Sequence, residues 1–489
     1  SGGIILIVVS FGYLYGFVTL FEHFHHSAMS KKLPSLAQSD WLKALIILCL
    51  GPFMCCLLCL SAINQLSRRY NLGHVRPLNE DEKRRILNPT FARKWDIARG
   101  WNWTSITTKL IVWGLAYFTM SIGLSKFISM FLSMLNVWLK AEGFSYVEVG
   151  AIFFATGITV FLNPLIPGVP VYVAGGIILV DSTREDFGFW PAVFYATGLC
   201  TALKFCAIIM QQKGFGELMG KYVSIRKLIQ VNSNTCKAIK LILMKPGLNK
   251  DKVMILCGGP DWPTSVTTGI LHLSLIQMLI GSCPIVFLIL PCVLSGALLL
   301  RVDEDAIWEP ISLLAIALSM LIQTMAMLGA LHAIARVSQQ RKQEIEAMPV
   351  DEEVLELENS SLERSRARAL ISNWHGKHVP NWIRALLLLG STCMTLSFYM
   401  VNILGESCFK SFQVSDNVDE DLDGNMLNII IYPLGHICLL LFAIGIVVWI
   451  IQFLFFRYCI SRNAIVDLPH RKLSDIHVQP FNETEAIEK

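Results

Sequence analysis

The sequence predicts an all-α polytopic membrane protein, with about eight transmembrane helices plus two inverted re-entrant hairpins. Three observations lead there. Of 489 residues, 54% are hydrophobic and only 16% charged, and the mean hydropathy is +0.53, a balance foreign to ordinary soluble domains. Apolar runs near or above the roughly 20 residues that cross a bilayer occur at 3–21, 44–63, 110–136, 192–212, 283–300, 310–334, 381–404 and 426–456. Two more apolar segments, 163–176 and 258–269, are interrupted by proline and glycine and do not read as simple spans.

Charge orients the spans. The stretch 68–109 holds ten Lys/Arg against four acids, and 213–252 holds nine against two. By contrast, 405–425 has six acids and one Lys, and 301–309 has four acids and one Arg. Counting Lys and Arg alone, the positive-inside rule places 68–109, 213–252, 335–380 and the tail after 457 in the cytosol. The loops near 22–43, 181–191, 301–309 and 405–425 then face the lumen or the outside. This alternation closes only if both broken segments leave the membrane on the side they entered.

The broken segments explain why. Proline removes a backbone donor and clashes with the preceding turn, and clustered glycine weakens the helix that remains. Non-helical backbone at membrane depth survives only when protein buries it or when it lines a cavity. The two segments also match each other. Pro167, Pro170, Gly176, Gly188 and Pro191 have counterparts 93 residues later in Pro260, Pro263, Gly269, Gly281 and Pro284. We read this as an internal repeat, and paired interrupted segments point to a transport site.

The run Asn163-Pro164-Leu165-Ile166-Pro167-Gly168, followed by Gly175-Gly176 and a span containing Gly198, resembles the VTT domain of the SNARE-associated Golgi protein, or DedA-like, family. Asp261-Trp262-Pro263 with Gly269, Gly281 and Pro284 resembles its second, inverted half. The resemblance spans 110–300 and implies lipid handling: movement of phospholipids between leaflets, without ATP in eukaryotic members, at endoplasmic-reticulum or Golgi-type membranes. Bacterial members carry an acid near the first hairpin and arginines further on; the nearest residues here are Glu148, Lys204 and Lys213. The chain then divides into 1–109, a transmembrane hairpin with a basic cytosolic loop; 110–300, the VTT-like core; 301–380, a transmembrane helix and charged linker; and 381–489, a C-terminal transmembrane hairpin and tail.

The expected substrate-binding residues are Pro167, Gly168, Pro170, Gly175, Gly176, Lys204, Asp261, Pro263 and Gly269. Freed backbone N–H groups near Gly168 and Gly269 suit phosphate oxygens. Ionisable groups at membrane depth are costly and face a cavity or a partner. Lys204, in mid-span, either meets a headgroup phosphate or acid, or snorkels to the interface; Asp261 either caps the short helix after Pro263 or binds a cation or proton. Lys126 reads as a snorkelling residue.

The remaining features exclude more than they assign. No nucleophile–base set, metal-ligand spacing or nucleic-acid motif is present, and GELMGKY at 216–222 lacks the spacing and Ser/Thr of a nucleotide loop. Accordingly no enzyme activity, cofactor, metal or nucleic-acid partner is expected. The adjacent histidines in 22–26 read as interfacial, and the basic stretch 68–109 suits anionic headgroups as well as an ordinary cytosolic loop. The segment 335–372 reads as charged helix broken near Pro349, serving as a solvated linker or as a surface for a homo-oligomer or protein partner. Phospholipid is the expected partner of the core. An ion-coupled secondary transporter of a small anion or polar solute, and a non-transporting membrane scaffold, are the alternatives.

Overall fold

The computed structural model describes residues 39–69, 95–302, 304–376, 379–412, 414, 416 and 418–466. Every regular element among them is helical, and only an isolated bridge between Phe409 and Ile430 pairs extended backbone. In chain order the main helices are α1 (Asp40–Arg69), α2 (Trp103–Phe118), α3 (Ser125–Ala141), α4 (Tyr146–Phe161), α5 (Gly168–Phe187), α6 (Phe189–Ile209), α7 (Asn234–Met244), α8 (Lys250–Gly258), α9 (Asp261–Ile270), α10 (Leu275–Ser282), α11 (Val286–Leu299), α12 (Trp308–Gln340), α13 (Glu352–Ile371), α14 (Asn381–Ile403) and α15 (Leu434–Val466).

Seven helical stretches among the described residues are long and apolar enough to cross a membrane, and the protein is an all-α, multi-pass membrane protein. They correspond one for one to the expected spans from 44–63 onward. The eighth expected span, 3–21, lies outside the described residues, as do the histidines of 22–26. The span expected at 110–136 is the 39-residue run Trp103–Ala141, in which α2 and α3 join through a π-helical turn, Thr119–Leu124. The last span begins only at Leu434, because Pro433 stands where a helical N–H would be needed and 426–429 is a short 3₁₀ turn.

The helices form two packed groups. In the flanking group, α14 buries Ile383, Leu387, Gly390, Met394 and Phe398, a four-and-three spacing that lines one helix face. Glycines let neighbours approach: Gly114 of α2 faces Met394, and Gly390 faces Val448 of α15. Polar side chains tie the group across the apolar interior. Tyr117 donates to Asn402 at 2.9 Å, Thr108 to Gln452 at 2.8 Å and Tyr399 to the Cys49 carbonyl at 2.6 Å.

One sidedness expectation fails here. Asp40 pairs with Lys109 at 3.5 Å, and Trp41 packs edge-on against Trp113. With Tyr399 reaching Cys49, these contacts make α1 and α2 parallel, so the described end of 22–43 lies beside 101–109 rather than across the bundle from it. A count of Lys and Arg in a loop carries no information on which helices pack side by side.

The core group comprises α4–α12. Its centre is α5, packed on α6 and α11, with Val171, Tyr172, Ala174, Ile177, Leu179 and Val180 all buried. The linker 341–371 docks on the core. Arg226 pairs with Asp351 at 2.5 Å and also with Glu353, Lys237 donates to the Met348 carbonyl, and Ile345 and Val354 are buried. The break near Pro349 is real; Asp351 caps α13 by accepting from the Val354 amide. Part of the surface considered for a protein partner is therefore occupied by this chain itself.

Candidate functional site: two helix breaks around a buried ion pair

Both interrupted segments fold as helix–break–helix. In the first, α4 ends at Phe161 and the Asn163 carboxamide accepts from the Leu165 amide, closing a local turn. Pro164 and Pro167 prevent helix from continuing, and α5 restarts at Gly168 with Pro167 extended as its N-cap (φ −72°, ψ 151°). In the second, α8 ends at Gly258 and α9 restarts at Asp261 after Pro260, again extended (φ −60°, ψ 132°). Neither helix start carries a side-chain cap. Pro170 and Pro263 each occupy the first turn, where a missing N–H costs no helical bond. The junction at Pro167 thus recurs at Pro260, between arms of different length.

The two breaks meet. They border one cavity of about 570 Å³, whose walls include Pro167, Gly168, Tyr172, Asp261, Trp262 and Pro263. That volume falls within the roughly 300–1,000 Å³ of small-ligand sites. Its outer rim includes Met120, Met320 and Met327, all exposed. Lys204, projecting from α6, donates to Asp261 Oδ1 at 2.5 Å, and its Nζ lies 5.7 Å from the Phe161 ring centroid. The lysine side chain is 2% exposed and the aspartate 22%. A buried cation held by one carboxylate and an aromatic face is stable only while its partner stays in place.

Of the two readings of Lys204, the acid partner prevails over snorkelling. For Asp261 the capping reading is corrected. Pro260 is the N-cap, Asp261 is the first helical residue, and its carboxylate turns to Lys204. The other expected residues divide. Pro167, Gly168, Asp261 and Pro263 line the cavity, and Lys204 reaches it through Asp261. Gly175, Gly176 and Gly269 are crossing points instead. A Cβ on Gly175 would meet Cys200 Sγ and Phe153, one on Gly176 the Val293 carbonyl and the Ala297 amide, and one on Gly269 the Gln212 carbonyl and Gly216 Cα. Pro170 is not among the lining residues. Lys126 donates to the Lys410 carbonyl at 2.7 Å.

Four residues in or beside the site were not among the expected site residues. Tyr172 Oη and Trp262 Nε1 are buried at the cavity wall with no hydrogen-bond partner among the described residues. Tyr172 falls one helical turn after Gly168, a spacing that could have placed it on the same face. Gln211 and Gln212 lie in the π-helical segment Met210–Gly216, wholly buried. Gln211 Nε2 donates to the Phe161 carbonyl and Gln212 Nε2 to the Leu273 carbonyl, each at 2.7 Å. One adjacent pair thus satisfies a carbonyl beside each broken segment, where helical partners have run out. Two glutamines at the end of an apolar run were the available signal.

No protein-family model, curated protein or solved structure matches this chain.

Proposed function

We propose that this protein moves phospholipid between membrane leaflets without an energy source, using the two helix–break–helix units as inverted re-entrant hairpins of a VTT-like core. The observation that carries the reading is the meeting of both breaks and the Lys204–Asp261 pair at one cavity rimmed by exposed methionines. A lipid must carry its charged headgroup through hydrocarbon while its tails remain in lipid. A cavity that is polar at its floor and open along an apolar rim suits that division.

The arms of each unit support the inverted arrangement. α6 and α12 run between the same two ends of the core: Arg301 stacks over Trp308 and Phe189 at one end, and Arg336 of α12 pairs with Asp251 at the other. Lys140, just before α4, pairs with Asp181 near the end of α5 at 2.8 Å, so the first unit opens toward the Phe189 end. The pairing of Asp251, at the start of α8, with Arg336, and the hydrogen bond from Lys252 to Gln277 beyond α9, support an opening of the second unit toward the Arg336 end. Two such dents meeting between the faces thin the barrier that a headgroup must cross. An endoplasmic-reticulum or Golgi-type membrane is the setting that the VTT resemblance implies.

The test is leaflet exchange in vesicles holding purified protein and fluorescent phospholipid, with an impermeant quencher added outside. Quenching of both leaflets without ATP or an ion gradient, lost in Pro167→Leu/Gly168→Leu, is the expected result. Quenching confined to the outer leaflet by folded wild-type protein sinks the lipid reading, and flux of a small solute that requires a gradient favours the ion-coupled transporter.

A further inference from the structure

Asp261 lines the cavity and is bonded to the buried Lys204 behind it, and two other lining residues, Tyr172 and Trp262, carry buried polar atoms, Oη and Nε1, that have no partner among the described residues. Indole N–H is a donor only, and a phenol donates readily, so the unmet capacity is for an acceptor. The Asp261 carboxylate already shows where an anionic oxygen is favoured: Oδ1 sits on Lys204, and Oδ2 lies 2.7 Å from the point where a Cβ on Gly168 would stand, at the uncapped start of α5.

We propose that the ligand of this site is a zwitterionic headgroup, a phosphodiester joined to an ammonium, which exchanges ion pairs with the protein. Its phosphate takes the place of the Asp261 carboxylate at Lys204 and receives hydrogen bonds from Tyr172 and Trp262. Its ammonium takes the place of Lys204 at Asp261. This inference rests on the proposed lipid-moving function and names its substrate class.

Lys204 and Asp261 are neutral as a pair, and a headgroup with one charge of each sign leaves the site neutral after the exchange. A headgroup bearing only phosphate would satisfy Lys204 but strand the Asp261 carboxylate in a largely buried position, the costly half of a broken buried pair. Zwitterionic lipids are therefore selected over anionic ones by the protein's own acid. Between passages each charge is the other's partner.

Two measurements on the full chain test this. The first is leaflet exchange of fluorescent phosphatidylcholine and phosphatidylglycerol, by wild type and Asp261→Asn, in vesicles of otherwise identical composition. Wild type is expected to favour the zwitterionic lipid by at least roughly tenfold, and Asp261→Asn, which leaves Lys204 uncompensated, to reverse the preference. The second is calorimetric binding of glycerophosphocholine and of glycerol phosphate to detergent-solubilised protein. Only the former is expected to bind wild type, and that heat is expected to be lost in Asp261→Asn and weakened in Tyr172→Phe. Should Asp261→Asn fail to give monodisperse protein, Lys204→Gln/Asp261→Asn replaces it, with loss of any preference expected.

The outcomes separate the two proposals. Exchange without charge preference, or with a preference that the aspartate substitution leaves unchanged, overturns the headgroup assignment and leaves lipid movement standing. Binding of glycerophosphocholine without lipid exchange overturns lipid movement and leaves the headgroup site, now for a soluble ligand. Neither exchange nor binding overturns both.

Discussion

Gly168 and Asp261 occupy equivalent positions of the two repeats, 93 residues apart, and they touch. Each is the first helical residue after an extended proline, and Asp261 Oδ2 stands 2.7 Å from the site of a Cβ on Gly168. A meeting of matched residues is what the inverted arrangement proposed above requires. The glycines further along do not repeat the relation: Gly176 packs on Val293 and Ala297 of α11, which the same spacing matches to Cys200 and Lys204, whereas Gly269 packs on Gln212 and Gly216.

Gly168 therefore has no room for a methyl group. Gly168→Ala would press on the Asp261 carboxylate and, at 3.1 Å, on the Phe161 and Tyr172 rings. Overpacking of this kind costs about 1–3 kcal/mol. A lowered melting midpoint of detergent-solubilised protein, with slower leaflet exchange, is expected.

The crossing glycines are tested against an internal control. Gly176→Ala and Gly296→Ala each drive a Cβ into the facing helix backbone, carbonyls that cannot rotate away as side chains do. Gly198→Ala meets nothing within 4 Å. Thermal melts should show losses for the first two and no loss, or a gain of about 0.5–1 kcal/mol from the helix preference of alanine, for the third.

Breaking the Lys204–Asp261 pair from either side should be worse than removing both charges. Lys204→Met strands a carboxylate and Asp261→Asn strands a cation, each at a cost of up to about 3–5 kcal/mol, with the partial exposure of Asp261 lowering it. Lys204→Met/Asp261→Asn should recover much of the loss. Melting midpoints of the three variants form the double-mutant cycle, and additive losses would refute the coupling.

Gln211→Leu should loosen the first unit and Gln212→Leu the second, because each substitution leaves a buried carbonyl without its amide donor. The cost of one such orphan is about 1–3 kcal/mol. Hydrogen exchange should rise around 160–166 in the first variant and around 271–275 in the second; a swapped or uniform pattern would count against the assignment.

The linker dock should respond to salt and not to alkaline pH. The hydrogen bond to Glu353, with Asp351 adding to it, holds Arg226 above its ordinary value. A raised folded value means that the arginine's contribution is fully present below the unfolded pKa and is lost only as pH rises through the folded one, far above about pH 9. Proteolysis of 341–351 should therefore be unchanged between about pH 7 and 9 and should quicken in high salt or in Arg226→Met.

Much of the architecture could be read from the chain because it depends on local chemistry. A bilayer-length apolar run has few folds open to it, and Pro167 and Pro260 interrupt helix wherever the rest of the protein lies. Hence the seven described spans, the two breaks and the 93-residue repeat follow from residue order alone. The roles of Gly176 and Gly269 did not, because a glycine that ends a helix and a glycine that admits a neighbour look alike until the neighbour is placed.

The sequence by itself determined the class, the spans and where helix must stop, since hydropathy and missing N–H groups act within a few residues. Only the tertiary structure decided that Lys204 meets Asp261 across 57 positions, that Tyr172 and Trp262 border the same cavity, and that α1 lies parallel to α2. The reason is physical. A buried charge requires a partner wherever one can be found, and which partner it finds is settled by how helices cross, a relation that no local pattern contains.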